Sequence, residues 1–131
     1  MKKNEIIQNW YELAKYDLDS AEVMLAGGRF LYVAFMCQQA VEKTLKGIFV
    51  KETEQTPPYT HNLRKIAKPL SFYDKCSEEQ ISLFDRLNAY YIESRYTETL
   101  EDMKSSINQK DAKQILEECT EIIEWLEAYK K

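Results

Sequence analysis

Residues 10–51 read WYELAKYDLDSAEVMLAGGRFLYVAFMCQQAVEKTLKGIFVK. Apolar side chains fall at Trp10, Leu13, Ala14, Leu18, Ala21, Met24 and Leu25, the 3.6-residue repeat of a helix with one greasy face. Gly27-Gly28 breaks the repeat, and glycine readily takes the left-handed conformation that closes a helix. The repeat then restarts with Phe30, Leu31, Ala34, Phe35, Val41, Leu45, Ile48 and Phe49. These patterns predict helices over about 4–26 and 29–51. A link this short forces the two helices to lie antiparallel.

The rest of the chain extends this hairpin. Residues 51–58 are polar and end in Pro57-Pro58, which disfavours helix at the preceding positions and marks a loop. Thr60 or Asn62 is placed to cap a short third helix carrying Leu63, Ile66, Ala67 and Leu70, which Pro69 kinks or ends. Ser77 and Gln80 form a capping-box signature ahead of a fourth helix, with Ile81, Phe84, Leu87, Tyr91 and Ile92 inward. Residues 94–107 show no periodicity and read as a long loop, a feature that is often functional. Asn108 and Asp111 open a last helix whose stripe is Ala112, Ile115, Leu116, Cys119, Ile122, Ile123 and Leu126. Only three Gly and three Pro occur in 131 residues, too few for the frequent turns of a sandwich or barrel. The expected fold is all-α: an antiparallel up-and-down helical bundle of four long helices plus one short helix, in one domain over residues 1–131.

Composition excludes several classes of function. The net charge is −4 and basic residues are interleaved with acids, so no basic patch for duplex DNA is expected. Cys37, Cys76 and Cys119 are widely spaced, and His61 is the only histidine, which leaves no zinc pattern. No metal or cofactor is expected, and the thiols are expected to be reduced. No apolar run approaches the roughly 20 residues of a membrane span, so the expected location is the cytoplasm, with no membrane partner.

Polar residues in apolar places are the candidate sites. Asp17, Gln38, Glu42 and Lys46 fall in or beside the stripes of the first two helices. An unpaired buried carboxylate costs several kcal/mol or becomes protonated. Asp17 and Glu42 are therefore expected to be paired, with Lys46 or a tyrosine hydroxyl across the helix interface, either as a polar network that fixes helix register or as a pocket wall. His61, in Thr60-His61-Asn62-Leu63, is either a capping-region side chain bonded to the preceding loop or a general acid or base. There is no GxSxG elbow and no Gly-rich phosphate loop. Tyr90, Tyr91, Arg95 and Tyr96 form a third cluster, able to hold a phosphate and stack a base, or to close the bundle end or a dimer seam.

Taken together, these segments resemble the HEPN family, the higher eukaryotes and prokaryotes nucleotide-binding domain. The landmarks are Tyr16-Asp17-Leu18 with Ala21, the run Gln38 to Lys46, Thr60-His61-Asn62-Leu63, and Ser94-Arg95-Tyr96. The resemblance covers nearly the whole chain. It implies a helical bundle with an extra short helix, commonly a homodimer, often acting beside a nucleotidyltransferase in toxin–antitoxin-like pairs. Other members are metal-independent ribonucleases that use an Arg and a His with four to six residues between them. Here Arg95 takes the place of that Arg, but Leu100, Glu101 and Asp102 stand where the His would be.

The expected function is accordingly a dimeric binding module with a nucleotidyltransferase partner and a nucleotide or RNA ligand. Arg95, Tyr96, Tyr91, Tyr90 and His61 are the binding candidates, and His61 and Arg95 the weak catalytic ones. The alternatives are a metal-independent endoribonuclease with an atypical site and a ligand-free assembly domain.

Overall fold

The computed structural model describes residues 2–91 and 97–129. They form an all-α antiparallel bundle: α1 Lys3–Ala26, α2 Phe30–Thr53, α3 Leu63–Ala67, α4 Glu78–Asn88, α5 Leu100–Ser105 and α6 Gln109–Ala128, with a 3₁₀ turn at Tyr73–Lys75. No strand occurs among the described residues. None of their helices is long and apolar enough to cross a membrane.

The Gly27-Gly28 break is a complete helix stop. The Arg29 N–H reaches the Met24 carbonyl at 2.8 Å, and the Gly28 N–H reaches that of Leu25 at 3.2 Å. Gly28 carries this turn at a φ of +75°, a conformation that costs any side chain bearing a Cβ. The chain reverses, and α1 packs lengthwise on α2.

α2 is the spine of the molecule. It touches α1, α6, α3, α4 and α5, and 13 of its 24 residues are buried. The single apolar face predicted for it is too narrow. Val33, Cys37, Ala40, Thr44 and Val50 are buried as well, because neighbours cover α2 on several sides. α1 is the opposite case: only Ala14 and Ala21 are fully buried. Leu13, assigned to the inner stripe, lies exposed with Tyr16 and Val23.

Small residues let α1 come close. A Cβ built on Gly47 of α2 would lie 2.5 Å from the Tyr11 ring, so only glycine fits beneath that side chain. Phe72 and Phe84 complete the core, and burying each contributes about 1.5–3 kcal/mol.

The helix starts follow their caps. Ser77 Oγ accepts from the Gln80 N–H at 3.1 Å, and Gln80 Oε1 accepts from the Ser77 N–H at 2.9 Å. Asn108 and Asp111 make the same reciprocal pair at 2.8 and 3.2 Å. Asn62, rather than Thr60, caps α3, accepting from the N–H groups of Arg64 and Lys65. α3 ends at Ala67, before Pro69.

The long loop expected over 94–107 needs correction. Leu100–Ser105 is helical, and Thr99 Oγ1 accepts from the Asp102 N–H at 3.1 Å to cap it. A six-residue helix is too short to show a period, while its Thr cap and first-turn acids Glu101 and Asp102 do carry a local start signal. Ile107, just beyond it, is buried in the core.

Candidate functional site

The polar residues of α2 meet the loop before α3. Gln38, Glu42 and Lys46 lie one turn apart on one side of the helix, and all three are buried. Glu42 receives three donors. Lys46 Nζ approaches Oε2 at 3.1 Å, Gln38 Nε2 approaches Oε1 at 3.2 Å, and His61 Nδ1 lies 3.0 and 3.1 Å from the two oxygens. Three donors and a counter-charge offset the cost of burying this carboxylate. Gln38 Nε2 also donates to the His61 carbonyl at 2.8 Å, and Gln39 Nε2 donates to Gln38 Oε1 at 2.7 Å. Lys46 Nζ lies 5.7 Å from the centre of the Trp10 ring.

His61 is thus held at both backbone and ring, by α2 rather than by the preceding loop. The carboxylate accepts at Nδ1, which favours the tautomer with the proton there and leaves Nε2 as an acceptor. The imidazole stacks on Tyr91 at 4.3 Å with an 18° tilt, and Tyr91 touches Phe35 at 5.9 Å. The His61 side chain is still 44% exposed, so its outer edge faces solvent. Asn88, at the end of α4, fixes the loop in place. Its Oδ1 accepts from the Leu63 N–H at 3.0 Å, and its Nδ2 donates to Asn62 Oδ1 at 3.1 Å. Nothing in the sequence marks Asn88 for that task.

The other candidates are distributed differently. Asp17 does not join Glu42; it pairs with Lys43 in a mostly buried bridge from α1 to α2. Successive helical residues point about 100° apart, so Lys43 faces α1 while Glu42 faces α3. Tyr90 and Tyr91, expected on the fourth helix, lie beyond its last residue, Asn88, and separate in the turn that follows. Tyr91 meets His61, whereas Tyr90 lines an open groove with Arg86, Glu98, Ser106 and Glu118. Arg86 and Glu118 form a two-pronged ion pair there, at 3.1 and 2.6 Å. Ile92, Ser94, Arg95 and Tyr96 lie outside the described residues. Among the described residues no group of three or more His, Cys, Asp or Glu is placed to hold a metal ion.

The sequence matches the HEPN domain family over residues 7–129. The chain belongs to the HEPN family. The fold agrees with two solved structures. One is the crystal structure of TT1696 from Thermus thermophilus, with a TM-score of 0.79 and 23% identity over 92% of this chain and 95% of that one. The other is ST0689, described as an archaeal HEPN homologue, with a TM-score of 0.75 and 21% identity over 97% of each chain. No match to a curated protein was found. In this HEPN chain, the positions where the ribonuclease pattern would place a His form the first turn of α5, with Glu101 and Asp102 beneath the Thr99 cap. That turn presents carboxylates in place of an imidazole. The histidine of this HEPN domain stands instead on the Glu42 side of the bundle.

Proposed function

We propose that the chain is a dimeric HEPN binding module of the cytoplasm. It works with a nucleotidyltransferase partner in a toxin–antitoxin-like pair and holds a nucleotide or an RNA end beside His61, Tyr91, Arg95 and Tyr96. The observation that carries this reading is the His61 ring, oriented by buried Glu42, stacked on Tyr91 and open at its outer edge. A fixed aromatic pair with a hydrogen-bonding edge suits a base, which stacks on any π-face and is read at its polar edge. Arg95, nearby in sequence, supplies the charge for a phosphate. A dimer is supported by the bare outer face of α1, where Tyr16 and Val23 are 73% and 67% exposed.

Titration of ATP, GTP and short single-stranded RNA by calorimetry tests the binding. At least one is expected to bind, and Arg95→Ala or His61→Ala is expected to weaken it at least tenfold, the loss of about 1.4 kcal/mol. Light scattering is expected to give twice the chain mass. Binding unchanged in both variants would remove the site, and a ligand-free dimer would favour the assembly reading.

One geometric feature also supports the endoribonuclease reading. A histidine with Nδ1 on a buried carboxylate and Nε2 free to accept is arranged as a general base for a 2′-hydroxyl. Cleavage of single-stranded RNA in EDTA, lost in His61→Ala, would establish it. No cleavage leaves the binding reading alone.

A further inference from the structure

On another side of the bundle, a cavity of about 570 Å³ opens between α1, α2 and the end of α6. Its size falls in the range of small-molecule clefts. Aromatic side chains make its walls: Tyr11, Phe72 and Tyr129. They are set in place by packing. Tyr11 lies over Gly47, where no Cβ would fit. Phe72 is fully buried and meets Trp125 and Tyr129 edge-on at 6.0 and 6.5 Å, and Trp125 meets Tyr129 at 5.8 Å.

Two carboxylates share this space. Glu52 is pinned by the Ser71 N–H at 3.0 Å and the Ser71 hydroxyl at 2.6 Å, which fix its position. Glu127 stands exposed on α6. Their field reaches the cavity wall: burial first, then Glu127 and Glu52, push the Tyr11 hydroxyl above its ordinary pKa. Among the described residues, Lys51 is the single cation lining the cavity, and it is exposed at the rim.

A bare metal ion would want a shell of oxygen ligands, and this site offers two carboxylates, one already hydrogen-bonded. A weakly hydrated organic cation suits it better, since aromatic rings attract such ions and the acids supply counter-charge.

We propose that this cavity binds an aliphatic ammonium ion of the polyamine class, flanked by Tyr11 and Tyr129, with Phe72 packed behind Tyr129, and neutralised by Glu52 and Glu127. The site is separate from the His61 platform and does not depend on the reading given to it. The whole chain would be titrated with spermidine by calorimetry at low salt. Choline would be compared with 3,3-dimethylbutan-1-ol, its uncharged analogue. Saturable binding of one spermidine per chain is expected, with choline displacing it and the alcohol inert. Glu127→Gln, at an exposed position, is expected to weaken binding about twofold to fivefold, and Lys51→Gln to strengthen it by a similar factor. No saturable binding, many weak sites per chain, equal displacement by the alcohol, or unchanged affinity in both variants would each overturn the proposal.

Discussion

Glu42 is the residue on which most of the polar interior depends. Its side chain is 4% exposed and that of Lys46 is 11%, so the pair lies in a medium where each charge needs the other. Glu42→Gln keeps the shape and removes the charge, which strands the Lys46 ammonium. A loss of about 3–5 kcal/mol is expected in urea unfolding, with part recovered when Lys46→Met is added. His61→Ala should cost much less, since its ring is at the surface. The comparison separates the stabilising role of the carboxylate from its role in aiming the imidazole. At this scale the sequence is informative about which residues are out of place and poor at pairing them. Glu42 and Lys46 are four apart on one helix, so their contact is local and readable. The Asp17–Lys43 and Glu42–His61 contacts depend on how the helices rotate against one another, and no spacing along the chain encodes that rotation.

Among the elements, α1 and α2 are joined by close approach more than by bulk. Ala14 and Ala21 are the only fully buried residues of α1, and Gly47 receives the Tyr11 ring. Gly47→Ala is therefore a sharp test. In an exposed helix interior that change adds roughly 1 kcal/mol of stability. Here the new methyl would sit 2.5 Å from Tyr11, so the variant is expected to melt at a lower temperature than the parent, and a higher one would refute this packing. Elements with strong periodicity or reciprocal caps are legible from residue order, as α1, α4 and α6 show. α5 is not, because six residues complete fewer than two turns and carry no stripe. The burial of α2 on several sides is also hidden, since residues such as Ala40 and Thr44 are small or polar and become core through what surrounds them.

For the whole molecule, alkali should loosen the fold in a definite window. Burial pushes the Cys76 thiol from its ordinary 9.0 up to about 11. Cys119 is also raised, by its hydrogen bond with Cys37 and by burial. Between those values the unfolded chain has released protons that the folded chain retains. The unfolded state binds fewer protons, and stability falls as pH rises past 9. Tyr11 adds to the fall above its ordinary 10.0, for the burial and carboxylate reasons already given. Melting temperatures followed from about pH 8 to 11 are expected to decline, and Cys76→Ser should make the decline shallower. An unaltered slope in that variant would assign the effect to other groups.

The central position of α2 has a price during synthesis. α2 ends at Thr53, whereas α6, which covers much of it, is complete only at Ala128. At roughly 5–20 residues per second, the ribosome leaves that spine half-dressed for several seconds. The α1–α2 hairpin can close at once, but the flanks awaiting α3, α4 and α6 stay sticky in the meantime. Nascent chains of this protein should therefore be clients of ribosome-bound chaperones until the last helix emerges, after which the need disappears.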